Sequence, residues 1–338
     1  MTKNKNILLL FDSPQEPSEN ADELRTLVLK DMDYQDERDV LVALEAEGYN
    51  VDLMGIYDNL EQVISSIKSK NYQLVFCMCE TYLNQRGLAA NIVSVFEMLG
   101  VKYTGANSAA LQLCSDKALS KKILSYHDIL VPNFLVSRHK KPLKKIKELK
   151  YPIIVKPLRL EASEGISACS IVQNEKDALE RASYVHKKYH VDVIFEEYIE
   201  GRELYVGIIG NHKPRVFPPQ ELKFKSPAKS TVKIASYKVK WDKKYREDYG
   251  IENEEADPID SKTLQDLNRI SKKIYQLFHI TGYARIDFRL SNDGQIYFLE
   301  ANPNPAINKV DDFALSAKQD GVEYEDLIHQ IVKLGMAA

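Results

Sequence analysis

The stretch RIDFRLSNDGQIYFLEANPNP, Arg285 to Pro305, reads as a hairpin whose two strands each carry an acid among apolar residues. Asp293-Gly294 signals a two-residue turn, because type I′ turns need positive φ at both central positions and Asp-Gly tolerates it. Centred on that turn, Asn292 pairs with Gln295, Asp287 falls opposite Glu300, and Arg285 falls opposite Asn302. Residues two apart on a strand share a face, so these four side chains stand together. Ile286, Phe288 and Leu290 turn the other way, opposite Ala301, Leu299 and Tyr297. Two carboxylates directly opposed on a sheet repel each other. A divalent cation between them removes the repulsion. With the Asn302 amide oxygen they form a hard oxygen set that suits Mg²⁺ together with phosphate oxygens and water. The plainer reading leaves both acids on a solvated face, neutralised by Arg285 or Arg289.

The whole chain has 338 residues, 44% hydrophobic and 28% charged, with a net charge of −3. That length suits two or three subdomains. The charge balance argues against a nucleic-acid or membrane-surface binder. No run approaches the roughly 18 apolar residues of a membrane helix. The N-terminal MTKNKNILLLFDSP has no small-residue cleavage site and reads as a first strand rather than a signal peptide. Cys77, Cys79, Cys114 and Cys169 show no metal-ligand spacing and are expected as reduced thiols in the cytosol.

Outward from the hairpin, the chain changes character near Tyr151. Before it, NILLLFD and YQLVFCMC read as buried strands. DERDVLVALEAEGYNV and LAANIVSVFEMLG read as helices ending at Gly48 and Gly100. This alternation predicts a parallel sheet. A helix follows over about 115–126, capped by Ser115 or Asp116. The basic run RHKKPLKKIKELK, Arg138 to Lys150, is expected as a solvated helix face. After Tyr151 come short β runs, with helical patterns at Glu175–Tyr189 and Ser261–His279. The long polar stretch from Glu221 to Asp257 reads as a weakly structured lid.

Other residues are weaker signals by themselves. Lys156 ends the apolar strand YPIIVKP, and Lys117 opens a helix; each alone is more often a solvated charge. Ser163 and Gly165 sit in a polar loop that can turn backbone N–H groups toward a phosphate. Glu196, Tyr198, Ile199 and Glu203 mark a strand-to-strand passage whose backbone can meet an adenine edge and whose acids can take ribose hydroxyls. Lys240 stands in the lid stretch beside the only tryptophan.

In this order the segments YTGANSAALQLCSDKALSKKIL, YPIIVKPLRLEASEGI, IFEEYIEGREL, ASYKVKWD and GYARIDFRLSNDGQIYFLEANPNP resemble the ATP-grasp enzymes of the D-alanine–D-alanine ligase-like family. The resemblance runs from about Tyr72 to the C-terminus. It implies an α/β and α+β architecture of three subdomains: a small parallel α/β domain over 1–115, a central lobe over 116–205, and a C-terminal lobe over 206–338 with its lid at about 221–257. It implies ATP and Mg²⁺ (or Mn²⁺), small-molecule carboxylate and amine substrates, and an ADP-forming amide ligation through an acyl phosphate. A homodimer is common in that family. Carried over motif by motif, Lys117 and Lys156 hold ATP phosphates, and Ser163 and Gly165 belong to the covering loop. Glu196, Tyr198 and Ile199 form the adenine segment, and Glu203 is the ribose acid. Lys240 approaches the γ-phosphate, Arg285 binds the reacting carboxylate, and Asp287, Glu300 and Asn302 hold the metal.

The substrate half departs from that pattern. The first strand is followed by LFDSPQEPSENADELRTLVL, without the glycine-containing turn and amine-orienting acid of true D-alanine–D-alanine ligases. CETYLNQRGLAANI lacks the usual His-Gly. Ala306 stands where a glycine is common, and Asp311 and Asp312 stand where a serine meets the acceptor carboxylate. An acid there repels a carboxylate and attracts an amine. The leading expectation is therefore a cytosolic carboxylate–amine ligase for amino acids or a small peptide-like acid. The alternatives are a true D-alanine–D-alanine ligase and an ATP-binding regulatory protein without turnover.

Overall fold

The computed structural model describes residues 6–18, 20–160, 163–225 and 234–337. Residues 161–162 of the predicted phosphate loop and 226–233 of the predicted lid lie outside these.

The first region comprises β1 (Asn6–Asp12), α1 (Ala21–Lys30), α2 (Gln35–Ala46), β2 (Asn50–Ile56), α3 (Leu60–Ser69), β3 (Leu74–Cys77) and α4 (Ala89–Leu99). Its sheet is parallel, in the order β2-β1-β3. The central strand is apolar without alternation because both of its faces are covered. Ile7, Leu9 and Phe11 pack on one side, Leu8 and Leu10 on the other. Gly100 ends α4 at φ 64, a left-handed position that glycine occupies without steric cost. The sequence reading passed over β2 and α3. β2 is an edge strand with exposed Asn50 and Asp52, so no apolar run marks it.

Two capped helices follow, α5 (Ser108–Ser115) and α6 (Lys117–Tyr126). Asp116 caps α6 by accepting from the Leu119 amide at 3.0 Å, which selects one of the two expected caps. The central region holds β4 (Phe134–Ser137), β5 (Ile153–Pro157), β6 (Ile171–Val172), α7 (Glu175–Tyr189) and β7 (Val193–Glu197). Its sheet is antiparallel, in the order β4-β7-β5-β6. The basic run after β4 is not the expected helix; it is irregular. Pro142 and like charges at helical spacing both oppose a helix there.

The last region comprises β8 (Gly201–Ile209), β9 (Arg215–Val216), β10 (Gln220–Phe224), α8 (Tyr237–Trp241), α9 (Lys243–Tyr249), β11 (Ile251–Glu255), α10 (Ser261–Leu277), β12 (Tyr283–Ser291), β13 (Ile296–Pro303), α11 (Asp312–Gln319) and α12 (Tyr324–Ala337). Its sheet runs β11-β10-β8-β12-β13, with β9 beside β8. β8 lies in this sheet from Gly201 onward, so the seam between the two large sheets falls before 205. The described parts of the predicted lid are regular: one strand, two short helices and another strand.

One face of this sheet is apolar. Leu204, Val206, Ile286, Phe288 and Phe298 pack against Leu267 and Ile274 of α10 and against Ala110 and Leu124 of α5 and α6. The other face carries Glu203, Arg285, Asp287, Arg289 and Glu300, and turns toward the central sheet across a cleft. The last two helices return to the first region. Phe313, Leu327, Ile331 and Val332 share a core with Ile7, Leu9, Val40 and Leu44.

Candidate active site

In the hairpin of β12 and β13, Asp287 lies opposite Glu300, and Arg285 lies opposite Asn302, as the sequence predicted. The route to that register differs from the prediction. The turn has three residues, not two: the Ser291 amide donates to the Gln295 carbonyl at 2.9 Å, and of the turn residues only Gly294 has positive φ, at 81°. That arrangement belongs to longer hairpin loops with one left-handed glycine. It pairs Phe288 with Phe298 and Leu290 with Ile296, one step off the expected partners. A bulge between Asp287 and Phe288 in the ladder then leaves Leu299 unopposed and restores the register at Glu300.

The charges on this face are crowded. The Arg285 guanidinium donates to both oxygens of Asp287, Nε to Oδ1 at 2.8 Å and Nη2 to Oδ2 at 3.0 Å. Its Nη1 lies 3.6 Å from Asp312 Oδ2, and the group stacks 4.8 Å over the Tyr205 ring. Asn302 Nδ2 donates to Asp287 Oδ2 at 3.1 Å, which commits its NH₂ group to the carboxylate. Burial, opposed by Arg285 and reinforced by Glu300, pushes Asp287 up to about 6. Glu300 goes the other way. Burial works against its charge, but Lys117, Lys240 and Lys156 hold it at about 2. Of the two opposed acids, Glu300 thus ionises first as pH rises.

A lysine network lies behind it. Lys117 Nζ sits 3.7 Å from Glu300 Oε2 and donates to the Leu160 carbonyl at 2.7 Å. Lys156 Nζ meets Glu196 Oε2 at 2.9 Å, and Lys121 Nζ meets Glu196 Oε1 at 3.1 Å. Glu196 is 1% exposed. Burial opposes its ionisation, yet the two lysines hold it at about 2. The structure thus places Glu196 as a buried counter-ion. Lys121 escaped the sequence reading, although its position one turn after Lys117 puts both lysines on the same face of α6.

The remaining predicted residues ring the same cleft. Lys156, Ser163, Glu196, Tyr198, Ile199, Glu203, Lys240, Asp287 and Glu300 line it together with Ile154, Ile166 and Leu299. The Tyr198 amide donates to the Pro152 carbonyl at 3.0 Å. Glu203 is engaged by Arg289 Nη2 at 2.7 Å and by the Tyr205 hydroxyl at 3.1 Å. Ser163, left-handed at φ 61, donates its hydroxyl to the Ala235 carbonyl at 2.6 Å. Gly165 does not line the cleft. It supports the loop: a Cβ there would stand 2.7 Å from Pro157 Cγ, and its carbonyl accepts from Arg181 Nη2 at 2.7 Å.

A second cavity of about 420 Å³ adjoins the first, lined by Glu80, Arg86, Arg285, Asn302, Ala306, Asp311 and Asp312. Lys240 lines both. Asp311 is pushed up to about 7 by burial and by the neighbouring Asp36 and Asp312. Burial, with the nearby Asp36, Asp12 and Glu80, likewise drives Glu37 up to about 7.

Residues 120–333 match the family model described as D-ala D-ala ligase C-terminus. The chain belongs to the D-alanine–D-alanine ligase family. Among this family's members, a D-alanine–D-alanine ligase from Aquifex aeolicus is 30% identical over 73% of this chain and 78% of that protein. One from Pseudothermotoga lettingae is 27% identical over 87% of this chain and 91% of the relative. The ligase from Bacillus anthracis, solved with ATP, shares the fold at a TM-score of 0.75 and 18% identity, over 99% of this chain and 98% of that one. Like the family, the chain is an ATP- and Mg²⁺-dependent, ADP-forming ligase built on the ATP-grasp fold.

The residues fit that chemistry. Two opposed carboxylates and an amide make an incomplete hard-oxygen set, one that a nucleotide's phosphates would complete. Among the described residues no cluster of three His, Cys, Asp or Glu side chains offers a rival cation site. The first cleft holds about 60 Å³, well below the roughly 300 Å³ of a small ligand pocket. A nucleotide there would need the cleft walls, or the ion pairs that bridge them, to part. No described helix is long and apolar enough to cross a membrane.

Proposed function

We propose that this ligase phosphorylates a small carboxylic acid at the junction of the two cavities and transfers the acyl group to an amine, and that its substrates bear amino groups rather than an acceptor carboxylate. The observation that carries this reading is the place of Lys240, on the wall of both cavities, with Arg285 on the wall of the second. A γ-phosphoryl group in the first cavity and a carboxylate in the second would both meet Lys240, and the carboxylate would also meet Arg285.

The assignment follows from charge. Lys117 and Lys156, already balanced by Glu300 and Glu196, would hold the phosphates. Ser163 and Gly165 would shape the loop over them. Tyr198 and Ile199 would border the adenine, with Glu203 at the ribose. Asp287, Glu300 and Asn302 would hold Mg²⁺, which neutralises phosphate charge as transfer proceeds. Arg285 would orient the substrate carboxylate. Its oxygen attacks phosphorus and ADP departs, leaving an acyl phosphate. The amine nitrogen then attacks the acyl carbon, and phosphate leaves. Arg285 and the backbone at Ala306 would meet the tetrahedral oxyanion. The segment over about 221–257 would exclude the water that hydrolyses an acyl phosphate.

The walls of the second cavity support the substrate class. Glu80, Asp311 and Asp312 present acids where an acceptor carboxylate would need a neutral or cationic partner. The divisions proposed for the three subdomains are 1–115, 116–205 and 206–338, with the seam of the sheets near Gly201. A homodimer in the cytosol completes the proposal; exposed Leu27, Leu29 and Met32 offer apolar surface for a partner copy. The test is substrate-dependent ADP release across a panel of acids and amines with ATP and Mg²⁺. Diamino acids and amines without a free carboxylate are expected to outpace D-alanine. Rapid formation of D-alanyl-D-alanine would favour the second reading, a true D-alanine–D-alanine ligase, which the names of the curated relatives favour.

A further inference from the structure

The mechanism above does not use Lys121. Its side chain is fully buried at 0% exposure, in the second turn of α6, and makes three contacts. Nζ lies 3.1 Å from Glu196 Oε1 and 5.4 Å from the centre of the Phe298 ring, and it donates to the Leu299 carbonyl. A buried ammonium is costly unless it is paired and its protons are placed. Glu196 supplies the charge. The Leu299 carbonyl lies on β13, the edge strand of its sheet, where no further strand can take it.

Leu299 is the unopposed residue of the bulge in β13. A bulge leaves backbone groups outside the ladder, and buried backbone groups need partners. Here the helix α6 and the loop after it supply them. Lys121 takes the Leu299 carbonyl, and the Phe298 amide donates to the Leu130 carbonyl at 2.9 Å. The bulge decides where Glu300 points. With the three-residue turn and no bulge, Asp287 would face Leu299, and Glu300 would face Ile286 on the core side.

We propose that Lys121 is a positioning residue that holds the β13 bulge, and thereby sets Glu300 opposite Asp287 as a metal ligand, without touching nucleotide or metal itself. This rests on the proposed metal role of Asp287 and Glu300. Outer-shell partners of metal ligands commonly contribute about 10–100-fold to metal affinity.

Electron paramagnetic resonance of Mn²⁺ titrated into the full chain with a non-hydrolysable ATP analogue tests the proposal. Lys121→Met is expected to weaken Mn²⁺ binding by about tenfold or more, while the analogue, measured without metal, binds nearly as before. The variant leaves Glu196 paired with Lys156, so the charges there still balance. Lys121→Gln removes the same charge but keeps an N–H donor for the Leu299 carbonyl, and it should bind Mn²⁺ more tightly than Lys121→Met. Wild-type Mn²⁺ affinity in Lys121→Met, or equal weakening in the two variants, overturns the positioning role alone. Failure of the wild-type protein to bind Mn²⁺ with the analogue overturns the metal site and this inference with it.

Discussion

At the scale of single residues, charge placement decides most of the behaviour. Glu196 serves two lysines from a buried position, so removing its charge strands both of them. Breaking a buried pair from one side costs about 3–5 kcal/mol, and Glu196→Gln should show a loss of that order in urea unfolding at neutral pH. Its carboxyl falls from 4.5 to about 2 on folding. A depressed acid contributes stability above its unfolded value and loses it as pH falls through the folded one. Wild-type stability should therefore decline between those two values, and the variant should lose that share of the decline. Asp311 behaves in the opposite sense. Its carboxyl rises from 3.8 to about 7, so the folded chain holds a proton there that the unfolded chain has released. Asp311→Asn should gain stability relative to wild type as pH climbs through that window. In wild type, affinity for a cationic amine should rise as pH passes about 7, where Asp311 ionises; a flat profile in Asp311→Asn completes the check. The pairing of Asp287 with Glu300 was expected from the turn, although the register reaches it through a longer turn and a bulge. The partners of Glu196 were not, because Lys121 comes from a helix far away in sequence and no local pattern marks it as buried.

Single elements carry function through backbone shape. The loop after β5 turns at Gly165, where φ is 74 and a side chain would press on Pro157. Gly165→Ala should cost about 1 kcal/mol or more and should raise the KM for ATP above any change in kcat, which steady-state kinetics separate. The hairpin is the instructive case for sequence reading. Asp293-Gly294 marked the turn correctly but gave the wrong loop length, since only Gly294 adopts positive φ. The bulge at Leu299 added back the step that the longer turn removed. The acids met as expected, although the apolar residues between them did not. Bulges have no strong local signature, and this one is stabilised from outside the hairpin. Helices with clean caps, such as α6 and α7, were read nearly to the residue; β2, an exposed edge, and the irregular basic run were not.

For the whole molecule, the site exists only because three sheets and their returning helices converge. The proposed phosphate lysines come from α6 and β5, the proposed metal ligands from β12 and β13, and the second cavity in part from the first region's loops and α11. The C-terminal helix closes the core of the first region, so the two ends of the chain fold together. Binding across such a junction should stabilise everything at once. At a hundredfold excess over its dissociation constant, Mg²⁺ with ATP should add about 2.7 kcal/mol, seen as a higher melting temperature that falls back on chelation. The proposed activation of a carboxylate by phosphorylation, between Lys240 and Arg285, is read out by trapping with hydroxylamine. With ATP, Mg²⁺ and the true acid, the chain should yield a hydroxamate together with ADP, and Arg285→Ala should yield neither. Release of AMP and pyrophosphate, or acid-dependent ADP release with no hydroxamate from any acid that supports ligation, would contradict the account.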